Sequence, residues 1–266
     1  MPNFPPVDRL LSLLPPNWQA RLASCGVEAV QEGMSATPVF RVTCVDSRAY
    51  LKVTTGRDGD ELRAEIQRTA WLAANGIRAP SILATLDQGG VVAMLTGELS
   101  GKRPQDCLDS VEAILATVAQ GLIGLHSLPV ADCPFDERTP VRLRRALESI
   151  NRHEIDPAHF AERNRALTAQ QIYERLIAEI PQAEDLVVIH GDADFDNLRV
   201  DAAGQLGFLD CGRSGRGDRY VDLERVTTSI EERFGPRWVE PFLQSYGLTR
   251  WDRDRALFFA DLYELF

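Results

Sequence analysis

The apolar period of this 266-residue chain changes once, near residues 96–101, and that change limits the folds open to it. Before it, "PVFRVTCV" (Pro38–Val45) and "AYLKV" (Ala49–Val53) flank Asp46-Ser47-Arg48 and predict a hairpin; "ILATL" and "VVAML", flanking Asp87 to Gly90, predict a second. A helix is expected between them from Asp60 to Asn75, with Leu62, Ile66, Ala70 and Ala73 on one face and Gly76 as its stop. Beyond it the spacing turns helical. Asp109 and Glu112 read as a capping box ahead of the stripe Val111, Ile114, Leu115, Val118, Leu122 and Leu125. Further helices are expected over Pro140–Asn151, Thr168–Ile180, Val221–Arg233 and Arg250–Phe266, interrupted by the strand pair "LRV" and "QLGFLD". The expected architecture is therefore α+β with two lobes: a small β-rich lobe over 1–95, a hinge at "TGELSG" (96–101), and a larger, mostly helical lobe over 102–266.

Charge narrows the partners. The net charge is −10, and up to residue 95 the Lys/Arg and Asp/Glu counts balance, so the whole acidic excess lies in the second lobe. Phosphate backbones would be repelled there, which argues against nucleic acid, whereas cationic ligands or metal ions would be attracted. No apolar run spans a bilayer, and the proline-broken first 18 residues lack the pattern of a signal peptide. Five scattered cysteines without C-x-x-C spacing predict free thiols in a reducing cytoplasm rather than a zinc site. Nothing in the sequence fixes an oligomeric state.

The stretch "VVIHGDADFDNLRV" (Val187–Val200) carries the chemistry. Asp192, Asp194 and Asp196 match positions 1, 3 and 5 of a calcium loop, but such a loop needs glycine at position 6 and a bidentate glutamate at position 12, where this chain has Asn197 and Ala203. The spacing His190-Gly191-Asp192 followed by Asn197 fits phosphoryl transfer instead. There a carboxylate, Asp192, faces the acceptor hydroxyl and takes its proton. Oxygen donors from two segments, Asn197 and Asp210, hold the magnesium ion that neutralises charge on the transferred phosphoryl group. The hairpin from Leu198 to Leu209 would return the chain to that point.

The first lobe supplies matching parts. Lys52 lies in a strand with Tyr50 two residues earlier, on the same face, so the lysine can meet nucleotide phosphates while the ring lies against the base. Glu65 on the following helix can orient Lys52, and Ser35 in "EGMSATPVF" can donate to a phosphate. His190 and His126 read as structural, His153 and His159 as surface residues, and Asp194 as a solvated loop residue whose charge, with that of Asp196, would repel that of Asp192.

Taken together, "MSATPVFRV", "LKV", "EIQRTAWLAANGI", "LHSLPVADCPFD", "VVIHGDADFDN", "GFLDCGRSGRGDRYVDL" and "LYELF" make the chain resemble the aminoglycoside O-phosphotransferases over nearly its whole length, the 3′-phosphotransferases most of all. The resemblance implies a protein-kinase-like fold and a magnesium-dependent enzyme that phosphorylates an aminoglycoside hydroxyl from ATP or GTP. It implies Asp192 as catalytic base, Asn197 and Asp210 as magnesium ligands, and Lys52 with Glu65 as the phosphate-binding pair. Tyr50 would stack on the base, with the backbone of Met94 to Thr96 at the base edge. Glu162, Arg213, Glu264 and Phe266 match aminoglycoside contacts. Several positions depart from the family. His159 and Ala161 stand where acids are expected, Thr228-Ser229 replace an Arg-Asp pair, and Tyr263 replaces an acid. Each missing carboxylate removes a charge-assisted hydrogen bond worth roughly 1.5–3 kcal/mol. The second lobe thus pairs an intact catalytic loop with an altered acceptor pocket.

Overall fold

A computed structural model describes residues 7–30, 37–45, 47–56, 58–107 and 110–266. The chain divides into two compact units, one formed by residues 1–100 with 209–212 and the other by 101–208 with 213–266.

In the first unit, α1 (Val7–Leu11) and α2 (Pro16–Leu22) precede β1 (Gly26–Ala29), β2 (Val39–Cys44) and β3 (Ser47–Thr55). Then come α3 (Asp58–Ala74), β4 (Ile82–Gln88) and β5 (Val91–Gly97). The five strands form one antiparallel sheet in the order β1-β2-β3-β5-β4. Both expected hairpins are present, but the first turns earlier than Asp46-Ser47-Arg48, since Ser47 and Arg48 already pair with Cys44 and Thr43 in β3; Gly89 and Gly90 turn the second with φ of 61° and 77°, the left-handed pair a tight two-residue turn needs. Alternation along β3 and β5 divides the burial. Leu51, Val53, Ala93 and Leu95 pack with Leu10, Leu14, Trp18 and Leu22 of the first two helices, while Val92 and Met94 pack with Leu62 of α3.

The expectation of five free thiols is corrected here. Cys25 and Cys44 form a disulfide with their Cα atoms 4.5 Å apart, and Cys107, Cys133 and Cys211 are thiols outside any disulfide. The register Gly26↔Thr43, continued by one residue, sets the two opposite each other at the narrow spacing of an antiparallel pair. β1, α1 and α2 had no sequence-level assignment, so this pairing was not legible.

The second unit holds α4 (Pro104–Cys107), α5 (Val111–His126), α6 (Thr139–Asn151) and α7 (Ala169–Ala178), then β6 (Leu186–Ile189), β7 (Leu198–Val200), β8 (Leu206–Phe208) and β9 (Gly215–Asp218). It closes with α8 (Tyr220–Phe234), α9 (Val239–Tyr246) and α10 (Arg253–Tyr263). The N-cap of α5 is Ser110, whose hydroxyl accepts from the Ala113 amide, in place of the capping box expected from Asp109; Asp109 lies outside the described residues. β7 pairs with β8 and β6 with β9, both antiparallel. A core of Leu143, Ile172, Leu176, Ile189, Phe258, Phe259 and Leu262 joins α6, α7, α10 and β6. Among the described residues no helix is long and apolar enough to cross a membrane.

Candidate active site

In the first unit the register of β3 against β5 sets Tyr50 opposite Thr96 and Lys52 opposite Met94, so all four share one face of the sheet. Lys52 Nζ donates to Glu65 Oε1 at 2.7 Å and to Asp210 Oδ1 at 2.5 Å. Burial opposes the charge on Lys52, but the two carboxylates outweigh it and raise its pKa above the ordinary lysine value. Lys52 is therefore a fixed cation. Asp210 adopts φ of 52°, a left-handed backbone that few residues other than glycine accept. The residues that follow it are tied down: Cys211 is fully buried, and the Arg68 guanidinium donates to the Gly212 carbonyl. Half of the Asp210 side chain stays open to solvent. Ser35 lies outside the described residues.

In the second unit the loop read from sequence as catalytic leaves β6 at Ile189. Gly191 has φ of 87°, and a Cβ there would run into the Arg213 carbonyl, so only glycine fits. The fully buried Asp222 of α8 anchors this turn. Its Oδ1 accepts from the Gly191 amide at 2.7 Å, and its Oδ2 accepts from the His190 amide at 2.7 Å and pairs with His126 Nε2 at 3.0 Å. Burial pushes the Asp222 carboxyl up, but the bonds and charge from His126 and His190 prevail and hold it below the ordinary aspartate value. His190, fully buried, stacks on Phe208 at 5.5 Å and is structural. Asp222 lay inside a recognised motif, yet its partners could not be read from the sequence.

Asn197 and Asp192 are bound directly. Asn197 Nδ2 donates to the Asp192 backbone oxygen at 3.0 Å and to Asp192 Oδ2 at 3.1 Å. With its nitrogen spent on Asp192, Asn197 keeps its amide oxygen for other partners. The Asn197 amide oxygen in the second unit and the half-exposed Asp210 carboxylate in the first are each hard donors of a kind that magnesium takes.

Asp194 differs from the expectation of a solvated loop residue, whereas Asp196 is exposed; both carry arginine counter-charges. Asp194 Oδ2 accepts from Arg225 and from Ser229, each at 3.0 Å, and its Oδ1 accepts from the Asp196 amide at 3.0 Å. Asp196 pairs with Arg233 at 3.1 Å and Arg103 at 3.4 Å. Both acids thus fasten the loop to α8 with arginine counter-charges. Ser229, fully buried, is part of that clamp, and Thr228 donates to Glu224 at 2.8 Å.

The acceptor residues named from sequence have different fates. Glu162 is exposed, as is His159, whose ring lies 3.9 Å from Asp156, while Ala161 is half-buried. Glu264 is held internally by Arg163 at 3.4 Å and by Asn164 at 3.0 Å. Asp261, one helical turn before it, binds Arg163, Arg175 and Asn164. Arg213 and Arg142 place their guanidinium carbons 4.8 Å and 5.0 Å from the centre of the Phe266 ring. Arg163, Asn164, Arg225 and Asp261 were not picked out from the sequence, because their partners lie on other elements of the chain.

A family model described as the phosphotransferase enzyme family matches residues 26–259. The chain belongs to that family. It is 32% identical to an aminoglycoside 3′-phosphotransferase of Niallia circulans, over 82% of this chain and 84% of the relative. A crystal structure of an aminoglycoside-3′-phosphotransferase of type VIII superposes with a TM-score of 0.85 at 25% identity, covering 97% of this chain and 98% of the other. The aminoglycoside phosphotransferase APH(3″)-Id of Streptomyces rimosus, solved with ADP and streptomycin, gives 0.82 at 28% identity over 93% and 95% of the two chains. The chain is therefore an enzyme, a phosphotransferase of α+β, protein-kinase-like fold.

Proposed function

We propose that this enzyme transfers the γ-phosphoryl group of ATP or GTP to an aminoglycoside, at the 3′-hydroxyl, and so confers resistance. The observation that carries the reading is the restrained Asp192 carboxylate, held by Asn197 on a turn that Asp222 anchors. A carboxylate fixed in this way can take the proton of an acceptor hydroxyl. In that step the acceptor oxygen bonds to the γ-phosphorus, the bond to the β,γ-bridging oxygen breaks, the hydroxyl proton passes to Asp192, and the nucleoside diphosphate leaves. Lys52, fixed by Glu65, would bind phosphate. Tyr50 would lie on the base, the backbone of Met94 to Thr96 would meet the base edge, and Ser35 would donate to a phosphate. Asn197 and Asp210 would hold magnesium, which when bound neutralises charge on the transferred group. Glu162, Glu264, Arg213 and Phe266 would form the acceptor side. A cytoplasmic location, where nucleoside triphosphates are kept, suits this chemistry, whereas the Cys25–Cys44 disulfide is of a kind that persists under oxidising conditions.

A second reading keeps the chemistry and changes the acceptor to another small hydroxylated metabolite carrying fewer positive charges. It is favoured by the engagement of Asp261 and Glu264 with Arg163, Arg175 and Asn164, since carboxylates already paired inside the protein attract an ammonium group less.

Release of ADP, followed with magnesium and ATP across kanamycin, neomycin, streptomycin and a no-drug control, tests the proposal, with Asp192→Ala in parallel. Drug-dependent turnover that falls by at least about a thousandfold in the variant supports it; phosphorus NMR of the product then gives the position of transfer. Nucleotide binding without turnover on any of the three drugs would overturn the aminoglycoside reading in favour of the second.

A further inference from the structure

Both oxygens of the Asp192 carboxylate are taken, and only one by the catalytic loop itself. Oδ2 belongs to Asn197, while Oδ1 accepts from the phenol hydroxyl of Tyr263, at the end of α10, at 2.9 Å. This second bond joins elements 71 residues apart. The tyrosine is held in turn. The Arg225 guanidinium carbon lies 3.9 Å from the centre of its ring, and Arg225 is fixed by Asp194 of the catalytic loop at 3.0 Å. Asp194 also takes the Ser229 hydroxyl and caps the turn that presents Asn197. A closed circuit results: Asp192 to Tyr263, Tyr263 to Arg225, Arg225 to Asp194, and back along the loop to Asp192. Burial, with the Asp192 charge added, pushes the Tyr263 phenol up to about 12, so it stays a proton donor at neutral pH.

We infer that Tyr263 is a positioning residue for phosphoryl transfer. Its hydroxyl and the Asn197 amide grip one carboxylate oxygen each, which stops Asp192 from rotating about its terminal bond. A carboxylate oxygen accepts more than one hydrogen bond, so the Oδ1 held by Tyr263 still has a lone pair for the acceptor hydroxyl. Fixing the base in this way brings the acceptor oxygen and the proton-accepting oxygen into one geometry before reaction, which acts on turnover rather than on binding. The inference rests on Asp192 being the base, as proposed above. At position 263 the neutral phenol donates to Asp192, which an ionised carboxylate could not do.

Tyr263→Phe removes only the hydroxyl. The expected result is a fall in kcat of about tenfold, with acceptor KM and nucleotide Kd within about twofold of the parent. The melting temperature should stay within about 3 °C, because one partly exposed hydrogen bond is lost. Replacing Tyr263 by para-aminophenylalanine, which restores an N–H donor at the same place, should recover most of the lost kcat. In the Asp192→Ala background Tyr263→Phe should cost nothing further in turnover, and the two changes should couple in denaturant stability. A kcat within twofold of the parent in Tyr263→Phe would overturn the inference, as would a loss that para-aminophenylalanine does not relieve. If the parent hydrolyses nucleotide but phosphorylates no aminoglycoside, the acceptor reading fails by itself; the same tenfold loss is then expected in hydrolysis, and an unchanged hydrolysis rate overturns the role of Tyr263.

Discussion

Asp222→Asn should be among the most damaging near-isosteric substitutions in the second unit. Asp222 is fully buried and receives the His190 and Gly191 amides at 2.7 Å each, with His126 Nε2 at 3.0 Å. Asparagine keeps one accepting oxygen and turns an NH2 group toward the remaining amide, which is then left without an acceptor. An orphaned buried donor costs about 1–3 kcal/mol, and the bonds that remain lose their charge assistance at about 1 kcal/mol each. The total, about 3–5 kcal/mol, equals the usual cost of breaking a buried charge pair. For a chain of this size that lowers the melting temperature by roughly 6–20 °C. The acid side of the stability curve should change as well. Because the folded Asp222 carboxyl lies below its ordinary value, its contribution is fully present above the unfolded pKa of about 3.9 and is lost as pH falls through the lower folded value. Calorimetric or circular-dichroism melts of parent and variant from pH 7 down to pH 3 would show the variant less stable at neutral pH and the gap narrowing in acid. Turnover should fall with stability, since the same two amides set the turn before Asp192. A variant melting within 2 °C of the parent at pH 7 would refute the claim that Asp222 anchors the catalytic loop.

Gly191→Ala should destabilise by at least about 2 kcal/mol and depress turnover, because a Cβ at φ of 87° is strained and meets the Arg213 carbonyl; denaturant titration with steady-state assay checks both. Cys25→Ser should cost about 3 kcal/mol under oxidising conditions, the loop-closure value for a separation of 19 residues, and nothing once the parent is fully reduced; urea melts with and without reductant separate the two.

The two hairpins of the first unit were legible because their strands alternate on a buried sheet and their turns carry glycine or polar residues. The stripe of α5 was equally legible, as were the ranges of α6, α7 and α8 to within two residues. β1 was missed, and with it the Cys25–Cys44 bond, since "GVEA" is short and mostly exposed. β9 was missed because "GRGD" has no β-forming side chain. It pairs with β6 where the backbone passes too close for one: a Cβ at Gly217 would lie 2.6 Å from Ile189. α9 went unassigned between Trp238 and Gly247.

At the candidate site, local spacing alone brought Asp192 and Asn197 together, because they are five residues apart and bond across one turn. The same-face placement of Tyr50 and Lys52 also followed from local alternation. The sequence by itself thus determined the class of fold, the loop and the chemical types gathered in it, since periodicity and short-range spacing obey backbone geometry. Only the tertiary structure decided which charges neutralise which. Asp194 finds Arg225 from α8, Glu264 finds Arg163 and Asn164, and Asp192 finds Tyr263 across 71 residues. A charge on a linear chain has no fixed partner until packing brings distant helices together; then the low dielectric of the interior makes each pairing strong and each omission costly.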